Sequence, residues 1–242
     1  MIEAPRRPPL TPTAILAVDV VVFSLRPGPV GQAWQTLVVH TPGAADRYAL
    51  PGVLVNADET FDAAARRAVE VKAGLDARDW YLEQLATFGN PSRDSRARVA
   101  SVAHVALVRA QDLVFQTEGL DAVEWWPVSE IQWDALAFDH AAILREAIGR
   151  VRGKVRYTWV LFQLLPAVFT MSQLRAGYAA IRGPGVMHLS TSNVRKLFRR
   201  LIEMGALVPI GERAEASGPG RPGDLFRFTG PLNGTWAREL PW

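Results

Sequence analysis

The spacing of apolar residues changes period at about residue 150, which confines the chain to a sheet-based first half and a helix-based second half. Before the change, stretches rich in β-branched residues alternate with turn residues. Residues 14–25 (AILAVDVVVFSL) and 34–41 (WQTLVVHT) read as strands around a Gly/Pro turn at 27–31. Leu50-Pro51-Gly52 marks another turn, and 80–88, 99–108 and 122–127 read as further strands. One helix interrupts them at 59–74: Phe61, Ala64, Ala65, Ala68 and Val69 recur at near-helical spacing and Gly74 is its stop. A second helical pattern, 139–151, closes this half. Beyond it, 155–165 reads as an apolar helix stopped by Pro166. Thr170 and Gln173 make a capping box for a helix reaching about Ile181, and residues 190–192 cap another that ends at Gly205. Strands at 207–210 and 225–229 flank a Gly/Pro-rich loop, so the order is three helices and then a two-stranded wing.

At 242 residues the chain has room for two modest domains. The expected division is an N-terminal arm at 1–13, whose four prolines exclude helix interior and central strand, a domain at 14–149 and a second at 150–242. Charge divides at the same place. Residues 1–149 hold 13 basic against 19 acidic side chains, a net −6, whereas 150–242 hold 14 against 5, a net +9. The total of +3 conceals both. A domain that basic suits a polyanionic partner, although a chance skew gives the same numbers. With 49% apolar and 21% charged residues the chain is no disordered polyelectrolyte. The absence of cysteine removes disulfide scaffolds, thiolate metal sites and thiol nucleophiles. No apolar run is long enough to span a bilayer and the N-terminus lacks a signal-peptide pattern, so no membrane association and a cytoplasmic location are expected. Four dispersed histidines (His40, His104, His140, His188) offer no metal-ligand spacing, and no serine stands in a nucleophile elbow.

The helix after Ser190 carries the clearest functional pattern. Arg195 and Arg199 are four residues apart, as are Lys196 and Arg200, so two stripes of positive charge share one side while Val194, Leu197, Phe198 and Leu201 face inward. A charged helix face that is simply solvated would look the same. However, no acidic residue occurs from Ser190 through Ile202, and the wing loop brings Arg213 and Arg221. A helix-turn-helix followed by a wing is the expectation. Thr191, Ser192, Asn193, Arg195, Lys196, Arg199, Arg200 and Arg221 are its candidate contacts to double-stranded DNA.

The 59–75 segment resembles the signature of the Nudix hydrolases, Gly-x5-Glu-x7-Arg-Glu-U-x-Glu-Glu-x-Gly-U, where U is a bulky aliphatic. Glu59, Arg67, Val69, Gly74 and Leu75 fit it without a gap, but Val53 replaces the first glycine and Ala68, Val71 and Lys72 replace the three core glutamates. A frame one residue earlier matches Gly52, Asp58, Arg66 and Glu70 and loses the closing glycine. Neither frame restores the adjacent acids that hold Mg²⁺ for pyrophosphate hydrolysis. The resemblance therefore implies a Nudix-like α/β/α sandwich with no catalytic residues and no metal. The arginines Arg67, Arg96 and Arg98 remain as fork-shaped donors for phosphate oxygens.

Joined to a winged helix, that domain is similar to the Nudix-related transcriptional regulators called NrtR. The similarity rests on 17–23 (AVDVVVF), the loop 88–99 (FGNPSRDSRARV), 136–140 (LAFDH), 164–166 with Phe169 and Thr170, and Gly220-Arg221-Pro222. The loop departs from the family's usual Pro before and Gly after the arginine at Ser95 and Ala97. The fold implied is α+β, a Nudix-like sandwich followed by a winged helix-turn-helix. The function implied is a homodimeric repressor of NAD synthesis or salvage genes on palindromic operators, with ADP-ribose or a related nucleotide as effector and no resident cofactor. Arg67, Glu70, Arg96, Arg98, Phe138 and His140 are its candidate ligand contacts. A weakly active ADP-ribose pyrophosphatase using Glu59 and Glu70, and a regulator whose Nudix domain serves only dimerisation, are the alternatives.

Overall fold

The structure, a computed structural model, describes residues 14–28, 31–41, 47–77, 80–113, 123–183, 190–215 and 222–230. Arg221, the 1–13 arm and the tip of the wing lie outside them. In order the elements are β1 (Ile15–Gly28), β2 (Gly31–His40), β3 (Tyr48–Ala49), β4 (Gly52–Leu54), α1 (Phe61–Ala73), β5 (Tyr81–Phe88), β6 (Val99–Arg109), β7 (Val123–Pro127), α2 (His140–Lys154), β8 (Val168–Thr170), α3 (Met171–Arg182), α4 (Thr191–Glu203), β9 (Leu207–Arg213) and β10 (Asp224–Phe228).

β1 to β7 form one mixed sheet in which β1 runs parallel to β6 and the other pairings are antiparallel. Side chains on a strand alternate between faces, and β1 is apolar on both. Val18, Val20 and Val22 pack with Ala64, Ala65, Ala68 and Val69 of α1 on one side. Val21, Phe23 and Leu25 pack with α2, α3 and the 159–165 segment on the other. The sheet is thus sandwiched between helices, and Asp19 shares the face of Val21 and Phe23.

The helix termini follow their sequence signals. Thr60 caps α1 through Ala63 N–H, and Gly74 ends it in the left-handed region at φ 63°. The Thr170–Gln173 capping box is present in both directions. Ser190 caps α4 through Asn193 N–H.

Two expectations are corrected. Residues 155–165 are not an α-helix: α2 ends at Lys154 and a short 3₁₀ helix, Trp159–Gln163, follows. The Thr158 hydroxyl takes up the Val160 N–H and itself donates to the Lys154 carbonyl, which diverts the backbone from helical continuation. The wing sheet has three strands rather than two, because Val168–Thr170 pairs with β10 just before the capping box. A strand of three residues is too short to show a period.

Among the described residues the two halves share one apolar core. Phe23, Leu25, Trp34 and Val38 of the sheet belong to the same cluster as Leu174 and Ile181 of α3, Val194, Leu197 and Phe198 of α4 and Leu207 of β9. Gly177 makes the approach possible: a Cβ there would stand 2.8 Å from Leu25 Cδ1 and 3.4 Å from both Leu161 and Leu165.

Candidate functional site

β1 changes partner along its length, pairing with β4 at Ala17 to Asp19 and with β2 from Phe23 onward. Beside this fork lies a cavity of about 560 Å³, walled by β1, the end of β2, β3 and β4, α1, the 93–96 loop and the entry to α2. That volume is in the range of small-ligand pockets. Gly52, opposite Asp19 in the sheet, is required by contact, since a Cβ would lie 2.3 Å from Asp19 Oδ1.

A buried ionic network forms the floor. Arg93 donates from Nη2 to Asp19 Oδ2 at 2.9 Å and to Asp139 Oδ1 at 2.8 Å, and from Nε to Asp139 Oδ2 at 3.0 Å. His140 Nδ1 accepts the Leu50 N–H at 3.0 Å, so its proton sits on Nε2, which faces Asp19 Oδ1 at 3.4 Å. Burial pushes the Asp19 carboxyl up, but His140, the Ser101 hydroxyl and Arg93 together outweigh it and hold the pKa below the ordinary carboxylate range. Asp139 is also the residue that precedes α2, so the network fixes where that helix begins.

Two further arginines line the cavity, each paired with a carboxylate. Arg67 forms a two-point ion pair with Glu59 and donates to the Leu54 carbonyl at 2.8 Å, while Glu59 also accepts the Asn56 N–H at 2.7 Å. The pairing of Glu59 with Arg67 and the left-handed Gly74 match the first of the two signature frames. Arg66 points elsewhere, to the Ala77 and Trp80 carbonyls. Arg96 makes a two-point pair with Asp94 at 2.9 and 2.8 Å and holds that carboxyl down at about 2 through those hydrogen bonds. Its guanidinium also stands 5.2 Å from the Phe138 ring centroid. Phe138 is half-exposed and sits at φ 53°, the single non-glycine residue with positive φ among the described residues. Such strain is kept where a side chain must be presented.

Of the six residues expected to hold ligand, Arg67, Arg96, Phe138 and His140 line the cavity. Glu70 and Arg98 are not among its walls; the Arg98 guanidinium reaches the Val99 carbonyl at 3.4 Å. Sequence reasoning missed Asp19, Arg93 and Asp139 as a network and did not count Lys72 among the ligand contacts. Asp19 did carry a signal, as a lone charge within an apolar strand that must find a buried partner. The donor set does not fit a hydrolase's Mg²⁺. From α1 the cavity receives Arg67, Val71 and Lys72, the carboxylates of Glu59, Asp19 and Asp94 are each engaged by arginine, and among the described residues no three acidic or histidine side chains converge to hold a metal ion.

The second site is the outer face of α4. Thr191, Ser192, Asn193, Arg195, Lys196, Arg199 and Arg200 are all exposed, while Val194, Leu197, Phe198 and Leu201 are buried. Among the described residues no carboxylate pairs with any of the four cations. Arg175 of α3 donates to Thr191 Oγ1 at 2.9 Å and sets the start of α4 against its neighbour. Cations left free on one helix face, beside a β9–β10 hairpin, present the geometry for phosphate and base-edge contacts in a major groove.

α2 spans the distance between the sites. Its first turn holds His140 in the cavity. Its last turns hold Arg150 and Lys154, both paired with Glu83 of β5, and Arg152, whose Nε donates to the Ile181 carbonyl at the end of α3 at 3.0 Å. Arg182 returns a bond to the Arg152 carbonyl at 3.1 Å.

Comparison with known proteins covers both halves of the chain. Residues 16–147 match the family model of the NUDIX domain and 161–228 that of the NrtR DNA-binding winged helix domain. The ADPR responsive transcriptional repressor NtrR of Acinetobacter baylyi is 30% identical over 221 residues, covering 90% of this chain and 83% of that protein. The crystal structure of Shewanella oneidensis NrtR complexed with a 27mer DNA superposes with a TM-score of 0.70 at 27% identity, over 88% of this chain and 93% of that one. The NUDIX domain of the same protein, complexed with ADP ribose, matches at a TM-score of 0.50 and 29% identity over 60% of this chain and 94% of that chain.

Proposed function

The chain belongs to the NrtR family of Nudix-related regulators, and on that premise we propose that it is a DNA-binding transcriptional repressor that senses ADP-ribose through a Nudix domain which no longer hydrolyses it. The observation that carries this reading is the loss of every free carboxylate from the cavity face of α1 while the cavity keeps its arginines. A site so built binds a phosphorylated ligand and has nothing with which to activate water on it. Residues 14–149 are the effector domain and 150–242 the DNA-binding domain.

The output is a population shift. ADP-ribose weakens repression only by binding the DNA-incompetent state more tightly than the competent one, and the difference in the two affinities sets the size of the response. α2 is the element whose position both sites bias. The chain acts in the cytoplasm as a two-fold homodimer on a palindromic operator, its recognition helices about one helical turn of DNA or a multiple apart, and controls genes of NAD synthesis or salvage. Incubation of ADP-ribose with the protein and Mg²⁺ is expected to release no AMP. Turnover that disappears in Glu70→Gln would instead make the domain an enzyme.

A further inference from the structure

Four basic side chains line the cavity, and they differ in what already holds them. Arg67 is paired with Glu59, Arg93 with Asp19 and Asp139, and Arg96 with Asp94. Lys72 is half-buried in the last turn of α1 and lines the same cavity, and among the described residues no carboxylate pairs with it. An ammonium facing a cavity without a counter-charge keeps its attraction for an anionic ligand undiminished, whereas each guanidinium has part of its charge already neutralised. Lys72 also occupies the place of the last core glutamate in the signature frame that the Glu59–Arg67 pair and Gly74 satisfy.

We infer that this cavity binds a diphosphate without any divalent cation, with the Lys72 ammonium supplying the positive charge that a metal held by glutamates supplies in a hydrolase. The inference rests on the ADP-ribose reading and goes beyond it, making Lys72 a determinant of affinity and the binding independent of metal. A carboxylate at position 72 would need Mg²⁺ to approach a diphosphate, because like charges repel. A lysine needs none, and it opposes a metal in the same space. Replacing the helix acids by a cation therefore does two things at once: it removes the hydrolytic metal and it keeps the charge balance that binding needs.

The test is calorimetric titration of the full chain with ADP-ribose in EDTA and again in excess MgCl₂, repeated for Lys72→Gln and Lys72→Glu. The wild type is expected to bind equally well, within about twofold, in both buffers. Lys72→Gln is expected to lose about tenfold in affinity in both, the loss typical of a charge-assisted contact. Lys72→Glu is expected to bind in EDTA more weakly than Lys72→Gln and to regain affinity when Mg²⁺ is added. Thermal unfolding of each variant checks that the fold is intact, and the wild-type pair of titrations stands without any variant. Wild-type binding that requires Mg²⁺ overturns the inference and leaves ADP-ribose as the effector. Unchanged affinity in Lys72→Gln also overturns it. The absence of saturable heat in either buffer overturns both. Metal-free binding that leaves operator affinity unchanged sustains the inference and overturns the sensor reading alone.

Discussion

Replacing Arg93 by methionine removes the cation that Asp19 and Asp139 share while keeping most of its volume. The Arg93 side chain is 5% exposed and that of Asp19 8%, so the pair lies inside the protein and the lost interaction is not returned by water. Removing one partner of such a pair costs about 3–5 kcal/mol, because the other charge stays buried and uncompensated. Here the Nε2–H of His140 still faces Asp19 and Asp139 is better hydrated, which places the loss near the lower limit, about 3 kcal/mol. For a chain of this length that is a fall of about 10 °C in Tm. The cause is separable from lost packing: adding Asp19→Asn to Arg93→Met removes the stranded charge, so the double variant is expected to be more stable than the single one. The sign with pH follows from the depressed Asp19 pKa. Its stabilisation is present above the unfolded value, about 3.9, and is lost as pH falls through the lower folded value, so the gap between wild type and Arg93→Met narrows below about pH 4. Thermal unfolding followed by circular dichroism at several pH values measures all three. A loss below about 1 kcal/mol at pH 7, or a double variant less stable than the single, refutes the account of the network.

On the DNA side, Arg199→Ala and Lys196→Ala are each expected to weaken binding across sequences and to lower the slope of log affinity against log salt by about 1, read by fluorescence anisotropy. An unchanged slope would mean that this face does not meet phosphate. Arg152→Ala cuts the bond from α2 to the Ile181 carbonyl, outside both binding surfaces. It is expected to leave ADP-ribose affinity in place and to reduce the effect of ADP-ribose on operator binding, and a full effect in this variant would show that the signal does not pass through that bond.

Much of this molecule is written locally and was readable as such. β-branched runs marked β1, β2 and β6, Thr170 with Gln173 marked the start of α3, and Ser190 with the cations behind it marked a helix with one wet basic face. Each signal lies within a few residues and rests on backbone geometry or caps. What was not readable is what depends on chain-distant partners. Arg93 looked like one of three loop arginines, and only the fold sets it between Asp19 and Asp139, from two other elements. Arg96 and Arg93 are chemically alike in the sequence, yet one side chain is 74% exposed and the other 5%. The freedom of Lys72 likewise depends on where every neighbouring carboxylate is committed. The strand at 168–170 was missed because its pairing with β10 lies more than fifty residues away in the chain.

In the proposed function one chain couples a diphosphate-binding cavity to a DNA-binding helix. Its most direct test is operator affinity, measured at one stated salt concentration with and without saturating ADP-ribose, on an operator selected by the protein from random-sequence DNA. ADP-ribose is expected to lower that affinity by about 5–150-fold, the usual span of an allosteric coupling, and operator DNA to lower the affinity for ADP-ribose by the same factor. Equal operator affinity with the cavity saturated and empty would contradict it.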